Sequence, residues 1–202
     1  RSSDLQWMVT AYLLMSGGGL LLGGRIADLL PRRRVFMTGM LVFTAASLAS
    51  GFASGAGQLI AARGAQGVGA ALMTPAALSL IMTTYQGAQR ARGLALWGAI
   101  GGLGIAAGVV VGGALTTWAG WQAIFWVNVP IGVIALVVAA HVLPAEPATT
   151  RSFAQFDVPG ALTAVGGLGL LMFAISGTET HGWASARTVV ALVGSLRDLV
   201  GH

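Results

Sequence analysis

The residues able to do chemistry in this chain are few, and Arg63 is the first of them. It stands four residues inside an apolar run, 59–85, that is long enough to cross a membrane. A guanidinium is always charged and is costly in hydrocarbon, so an arginine here either faces protein and water or snorkels to the nearby interface. Gln66 and Gly67 follow at i+3 and i+4, on the same face of a helix. Gln66 offers an amide that could hydrogen-bond beside the charge, and Gly67 leaves room there. A second cluster is 24–34, where Arg25, Asp28, Arg32, Arg33 and Arg34 make five of the seventeen formal charges. Gly24 and Asp28 lie one helical turn apart. An acid at the membrane edge accepts from arginines or sits at a neighbouring helix N-terminus, where the dipole favours an anion. The plainer reading is a topology anchor. The third feature is the ladder Gly104, Gly108, Gly112, with Gly101 and Gly113 beside it. A spacing of four puts the ladder on one face, where two helices can touch backbone to backbone.

Other chemistries find no support. Gly67-x-Gly69 and Gly101-Gly102-x-Gly104 do not follow a strand, so they are not dinucleotide loops. No Ser-His-Asp or paired-carboxylate arrangement is visible, and the spans themselves hold no acid, so no enzyme is expected. His141 and His181 lack partners at metal-ligand spacing and cysteine is absent, so neither a metal nor a cofactor is expected. The net charge of +5 would suit nucleic acid, but the arginines fall in short loops between apolar runs.

The elements that must position these residues are membrane helices. The 202 residues are 55% hydrophobic and 8% charged, against about 25% charge in a soluble domain. The 31 glycines suit close helix packing in lipid. Apolar runs cover 5–22, 35–52, 59–85, 94–115, 124–143 and 158–176, and a seventh from 188 is interrupted by Arg197 and Asp198. No run alternates with period two, which argues against a β-barrel. The expected fold is all-α, a polytopic transmembrane bundle. Alternate loops hold Arg32, Arg33, Arg34, Arg90, Arg92 and Arg151 on one side, against Arg1 and Arg187 on the other. The positive-inside rule makes the first set cytoplasmic. Trp7, Trp118, Trp121 and Trp183 then share the external edge as an aromatic belt, with Tyr12 near the same interface. Asn128 and Pro130 interrupt the fifth run, and Asp157 with Pro159 suits the start of the sixth helix.

Gly24-x-x-x-Asp28-x-x-x-Arg32-Arg33 resembles motif A of the major facilitator superfamily. Leu5-Gln6-Trp7-Met8-Val9-Thr10-Ala11-Tyr12-Leu13-Leu14 resembles the second helix of its fourteen-span drug:proton antiporter branch. Arg63-Gly64-Ala65-Gln66-Gly67-Val68-Gly69-Ala70-Ala71 is similar to motif B, and the ladder ending at Gly112 and Gly113 is similar to motif C. The resemblance implies that Gly24, Asp28, Arg32 and Arg33 form a cytoplasmic gate. It implies that Arg63, with Gln66 and Gly67, takes part in proton coupling, and that Gly104, Gly108, Gly112 and Gly113 serve packing and antiport. Three positions depart from the family pattern: Leu29 replaces a basic residue, Pro31 a glycine and Val109 a proline.

The implied domains are residues 1–143, a transporter bundle lacking its first helix; 144–155, a cytoplasmic linker; and 156–202, two inserted helices with the second cut short. The chain is expected to be a piece of a longer cell-membrane protein whose C-terminal bundle is elsewhere. The implied function is proton-driven export of a small hydrophobic drug or antibiotic by alternating access. Protons, the substrate, the lipid bilayer and the other bundle are its expected partners. A facilitator or symporter on the same fold, and a non-transporting truncated module, remain open alternatives.

Overall fold

The computed structural model describes residues 30–144 without a break and, before them, residues 9, 12, 15–17, 19, 20, 23, 24, 26 and 27. All of the earlier set are helical and are called the N-terminal helix below. Four helices follow: α1 Arg32–Gly51, α2 Ala56–Thr84, α3 Gly87–Ala119 and α4 Gln122–Val142. Each is long and apolar enough to cross a membrane, and no strand occurs among the described residues. The fold is an all-α membrane bundle. Apart from Pro144, the expected linker and the spans after it lie outside the described residues, as do Asp157, Pro159, His181, Trp7 and Trp183.

The runs are helices because lipid offers nothing to an unpaired backbone amide. Their ends depart from the hydropathy reading. Arg32, Arg33 and Arg34 form the first turn of α1, where a loop was expected. Pro31 explains this. A proline disfavours helical conformation in the residue before it, so the N-terminal helix closes with Leu30 N donating to Ile26 O at 2.9 Å. Its own φ of −53° suits a helix start, and its carbonyl accepts from the amides of Arg34 and Val35 at 2.8 and 3.1 Å. Arg90 and Arg92, expected in a loop over 86–93, lie inside α3, and 116–119 also stay helical. At 33 residues α3 runs ~50 Å, against ~30 Å of hydrocarbon, so a helix need not stop where the lipid does. It ends at Gly120, whose φ of +82° only glycine adopts without strain. Pro130 sits inside an unbroken α4.

Among the described residues, α1 lies between α2 and α4, α2 also meets the N-terminal helix, and α3 lies at the edge with no buried residue. The α1–α2 contact is made by backbones. A side chain at Gly69 would sit 2.6 Å from Phe43 N and 2.7 Å from Gly39 O. On the other side of α2, a side chain at Gly67 would sit 2.7 Å from Tyr12 O. Pro75, inside α2, has no N–H and deprives the Ala71 carbonyl of its usual helical donor. Gly23 closes on that carbonyl so tightly that no side chain fits there. Buried Ala27, Val35 and Ala76 pack beside these contacts with Ile26, Phe36 and Leu72.

Candidate functional site

Arg63 is half-buried, and its guanidinium turns into the bundle. Nη1 donates to Gln66 Oε1 at 2.6 Å, one turn deeper in α2. Gln66 Nε2 donates to Ser47 Oγ of α1 at 2.7 Å, and Ser47 Oγ donates to Phe43 O at 2.9 Å. Gln66 is 1% exposed and Ser47 0%. Every hydrogen in this relay has one direction, because a guanidinium only donates. The charge also lies 4.3 Å from the Tyr12 ring centroid and 5.8 Å from that of Phe125. Two ring faces within about 6 Å are each worth roughly 0.5–2 kcal/mol to a cation, more as water is excluded. Arg63 is thereby tied to the N-terminal helix, α1 and α4.

Tyr12, expected near the membrane interface, lays its ring over Arg63. Gly67 was expected to leave room beside the arginine. That room is occupied by the Tyr12 backbone, and this close approach brings the ring onto the charge. Ser47 and Phe125 were missed in the sequence. The signal available for Ser47 was a hydroxyl inside an apolar span, which can accept across helices while it donates to its own backbone.

The arginine end is built differently. Arg32 Nε donates to Ser79 Oγ of α2 at 2.7 Å, and Arg33 Nη2 to Ala140 O of α4 at 2.5 Å. Ala140 lies in the last turn of α4, where carbonyls lack helical donors and the dipole favours a cation. Arg90 Nε does the same for Tyr85 O at the end of α2, at 3.0 Å. These contacts collect Arg32, Arg33 and Arg90 at one end of the bundle, with Arg34 next to them in the first turn of α1. Trp126 packs at the other end against Gly51 and, edge-on at 4.4 Å, against Phe52. Gly24 lies within 4.0 Å of Pro75 for a would-be side chain. Asp28 and Leu29 lie outside the described residues.

Gly104, Gly108, Gly112 and Gly113 meet nothing within 4 Å of a would-be side chain. Gly108 and Gly112 instead line an open groove of about 250 Å³ between α3 and α4, with Val127 and Asn128 opposite. His141 is exposed, its Nδ1 2.8 Å from Val137 O. Arg63 therefore stands with neither the arginine end nor the ladder, and these three sets remain apart.

A charge held by an amide and two rings, the amide in turn held by a hydroxyl, within apolar helices defines a multi-pass membrane protein with a polar site in its bundle. The chain belongs to the Major Facilitator Superfamily, a family of membrane transporters, whose model matches residues 1–197. It is 41% identical over 98% of its length to a cephamycin export protein of Amycolatopsis lactamdurans, of which it covers 41%. It is 42% identical over 93% of its length to a puromycin resistance protein of Streptomyces alboniger, covering 37% of it. A multidrug transporter protein of Bacillus subtilis is 36% identical over 98% of the chain, with 37% covered. The chain thus spans about two fifths of the length of these relatives. The fold is similar to the crystal structure of a bacterial homologue of the human lysosomal transporter Spinster, in an inward-facing, occupied conformation. The TM-score is 0.54 at 18% identity, over 98% of this chain and 51% of that one.

Proposed function

We propose that this chain is part of an exporter that moves hydrophobic drugs or antibiotics out of the cell, driven by a proton gradient, by alternating access. The observation that carries the reading is Arg63, a charge held inside the bundle by Gln66 and two aromatic rings. A permanent charge in a membrane bundle is expensive and marks a substrate or ion pathway. The relatives support the direction of transport, since they are named for cephamycin export, puromycin resistance and multidrug transport. Residues 1–143 then form the N-terminal bundle, 144–155 a cytoplasmic linker, and 156–202 the inserted helices. The arginine end faces the cytoplasm by the positive-inside rule. Gly24, Asp28, Arg32 and Arg33 form the gate there, Arg63, Gln66 and Gly67 couple the proton, and the ladder serves packing or antiport.

A facilitator or symporter is the second reading. Val109 favours it, since it stands where the family's antiport motif has a proline. Transport into vesicles with an imposed proton gradient separates the two. Export driven by the proton gradient is expected, and it should be lost in Arg63→Ala while membrane insertion is kept. Substrate that moves down its own gradient regardless of protons overturns the antiport reading. Residues 1–202 alone should not transport, because half of a two-bundle site is not in them.

A further inference from the structure

We propose that Ser47 is a positioning residue for Arg63. Its hydroxyl on α1 fixes the amide of Gln66, and that amide fixes the guanidinium. The proposal rests on the reading that Arg63 couples protons to export. Arg63 only donates, so Gln66 must turn its Oε1 toward the charge. The Gln66 amide nitrogen is then forced toward α1, where the residue is 1% exposed and water cannot serve it. Ser47 Oγ supplies the acceptor at 2.7 Å and passes its own hydrogen to Phe43 O at 2.9 Å. The backbone contact of Gly69 with Phe43 brings α1 close enough for this link to form.

Ser50 shows that the link is more than the habit of a serine in a membrane helix. It lies on the same helix, is 0% exposed like Ser47, and makes the same bond to its own backbone, with Oγ donating to Ala46 O at 2.8 Å. Its hydroxyl makes no hydrogen bond with a described residue of another helix. Ser47 alone of the two has a partner across the interface. Without that hydroxyl the Gln66 amide is free to rotate about its last torsion. A rotated amide presents N–H to a guanidinium that also only donates, and Arg63 keeps only its two ring faces.

The test uses the full-length protein in proteoliposomes, with ethidium as the transported probe and an imposed proton gradient. Ser47→Ala should lower kcat about ten-fold with KM unchanged, the scale of one hydrogen bond lost from a charged network. Ser47→Thr keeps the hydroxyl and should restore most of the rate. Ser50→Ala should match the unmutated protein. In a Gln66→Leu background, Ser47→Ala should cost nothing further. The proposal is overturned if Ser47→Ala behaves like Ser50→Ala, if the loss lies in KM, or if threonine does not restore it. Where Ser47→Ala fails to insert, Gln66→Leu carries the test by breaking the same link from α2, and a normal kcat there overturns the proposal. Arg63→Ala separates the levels. If that variant exports ethidium normally, the coupling reading falls. If it is inactive while Ser47→Ala is normal, only the positioning role falls.

Discussion

Helices α2 and α3 are both rich in glycine, and the glycines in the middle of α2 lie in close contacts while the ladder of α3 does not. Gly67 and Gly69 bring the backbones of the N-terminal helix and of α1 within touching distance on two sides. Gly101, Gly104, Gly108 and Gly112 in α3 meet nothing within 4 Å. Spacing marks a face that is able to approach closely; what lies opposite decides whether it does. The difference has a consequence for chemistry. Where the glycines are used, polar groups of different helices reach each other, as Gln66 reaches Ser47 at 2.7 Å. Across α3, Asn128 of α4 faces only a groove and makes no side-chain hydrogen bond with a described residue.

The sharpest way to break this contrast is Gly69→Leu. The first carbon of the new side chain meets backbone atoms of Phe43 and Gly39 at 2.6 and 2.7 Å, and backbone cannot swing aside. Overpacking typically costs about 1–3 kcal/mol, and forcing two backbones apart costs more. We expect loss of most monodisperse, inserted protein, read by yield after size exclusion in detergent. Gly67→Leu should do the same on the other side of α2, against Tyr12 O and Met15 Cβ at 2.7 and 2.8 Å. Normal yield and an unchanged Tm for either variant would mean that α2 is no more tightly packed than α3.

The contrast also marks what could be read before folding. Helices were legible because lipid forces each span to satisfy its own backbone. Arg63 was legible because a charge in an apolar run is expensive wherever it points. Helix ends were less so. Hydropathy reports where hydrocarbon ends, so Arg32–34, Arg90 and Arg92 were expected in loops although they lie in α1 and α3. The partners of Arg63 were not legible. Ser47 and Ser50 look alike in sequence, and only the neighbouring helix distinguishes them. The same holds for Phe125, brought to Arg63 from 62 positions away by packing rather than by any local pattern.

An intermediate effect is expected at Gly132, where α4 meets α1. A side chain there would overlap Thr44 Oγ1 and lie 2.9 Å from its Cγ2. Thr44 is buried and stiff at χ1, and its hydroxyl donates to Met40 O at 2.8 Å, so it yields less readily than a flexible side chain. Gly132→Ala should cost about 1–3 kcal/mol, read as a lowered Tm in detergent. Thr44→Ala removes the two nearest atoms, Oγ1 and Cγ2, and leaves only Cβ at 3.0 Å. The double variant should therefore recover most of the loss, a non-additivity expected only of residues in contact. Losses that simply add would show that the two helices do not meet at this pair.

The smallest effect belongs to Gly108→Ala, and it decides what the ladder is for. Nothing described lies within 4 Å, so the added methyl meets no clash among the described residues. Alanine is also the better helix former, by about 0.8–1.0 kcal/mol in water. The Tm of this chain should stay level or rise slightly. A fall comparable to that of Gly132→Ala would show that α3 is packed after all. The full-length protein supplies the second half of the measurement. If another helix seats on the ladder there, Gly108→Leu should lower the Tm of the full-length protein while leaving residues 1–202 unaffected. The two glycine faces would then differ only in where their partners lie: within these residues for α2, and outside them for α3. If Gly108→Leu leaves both Tm values and proton-driven export unchanged, the ladder has neither role, and α3 serves this bundle as a lipid-facing span.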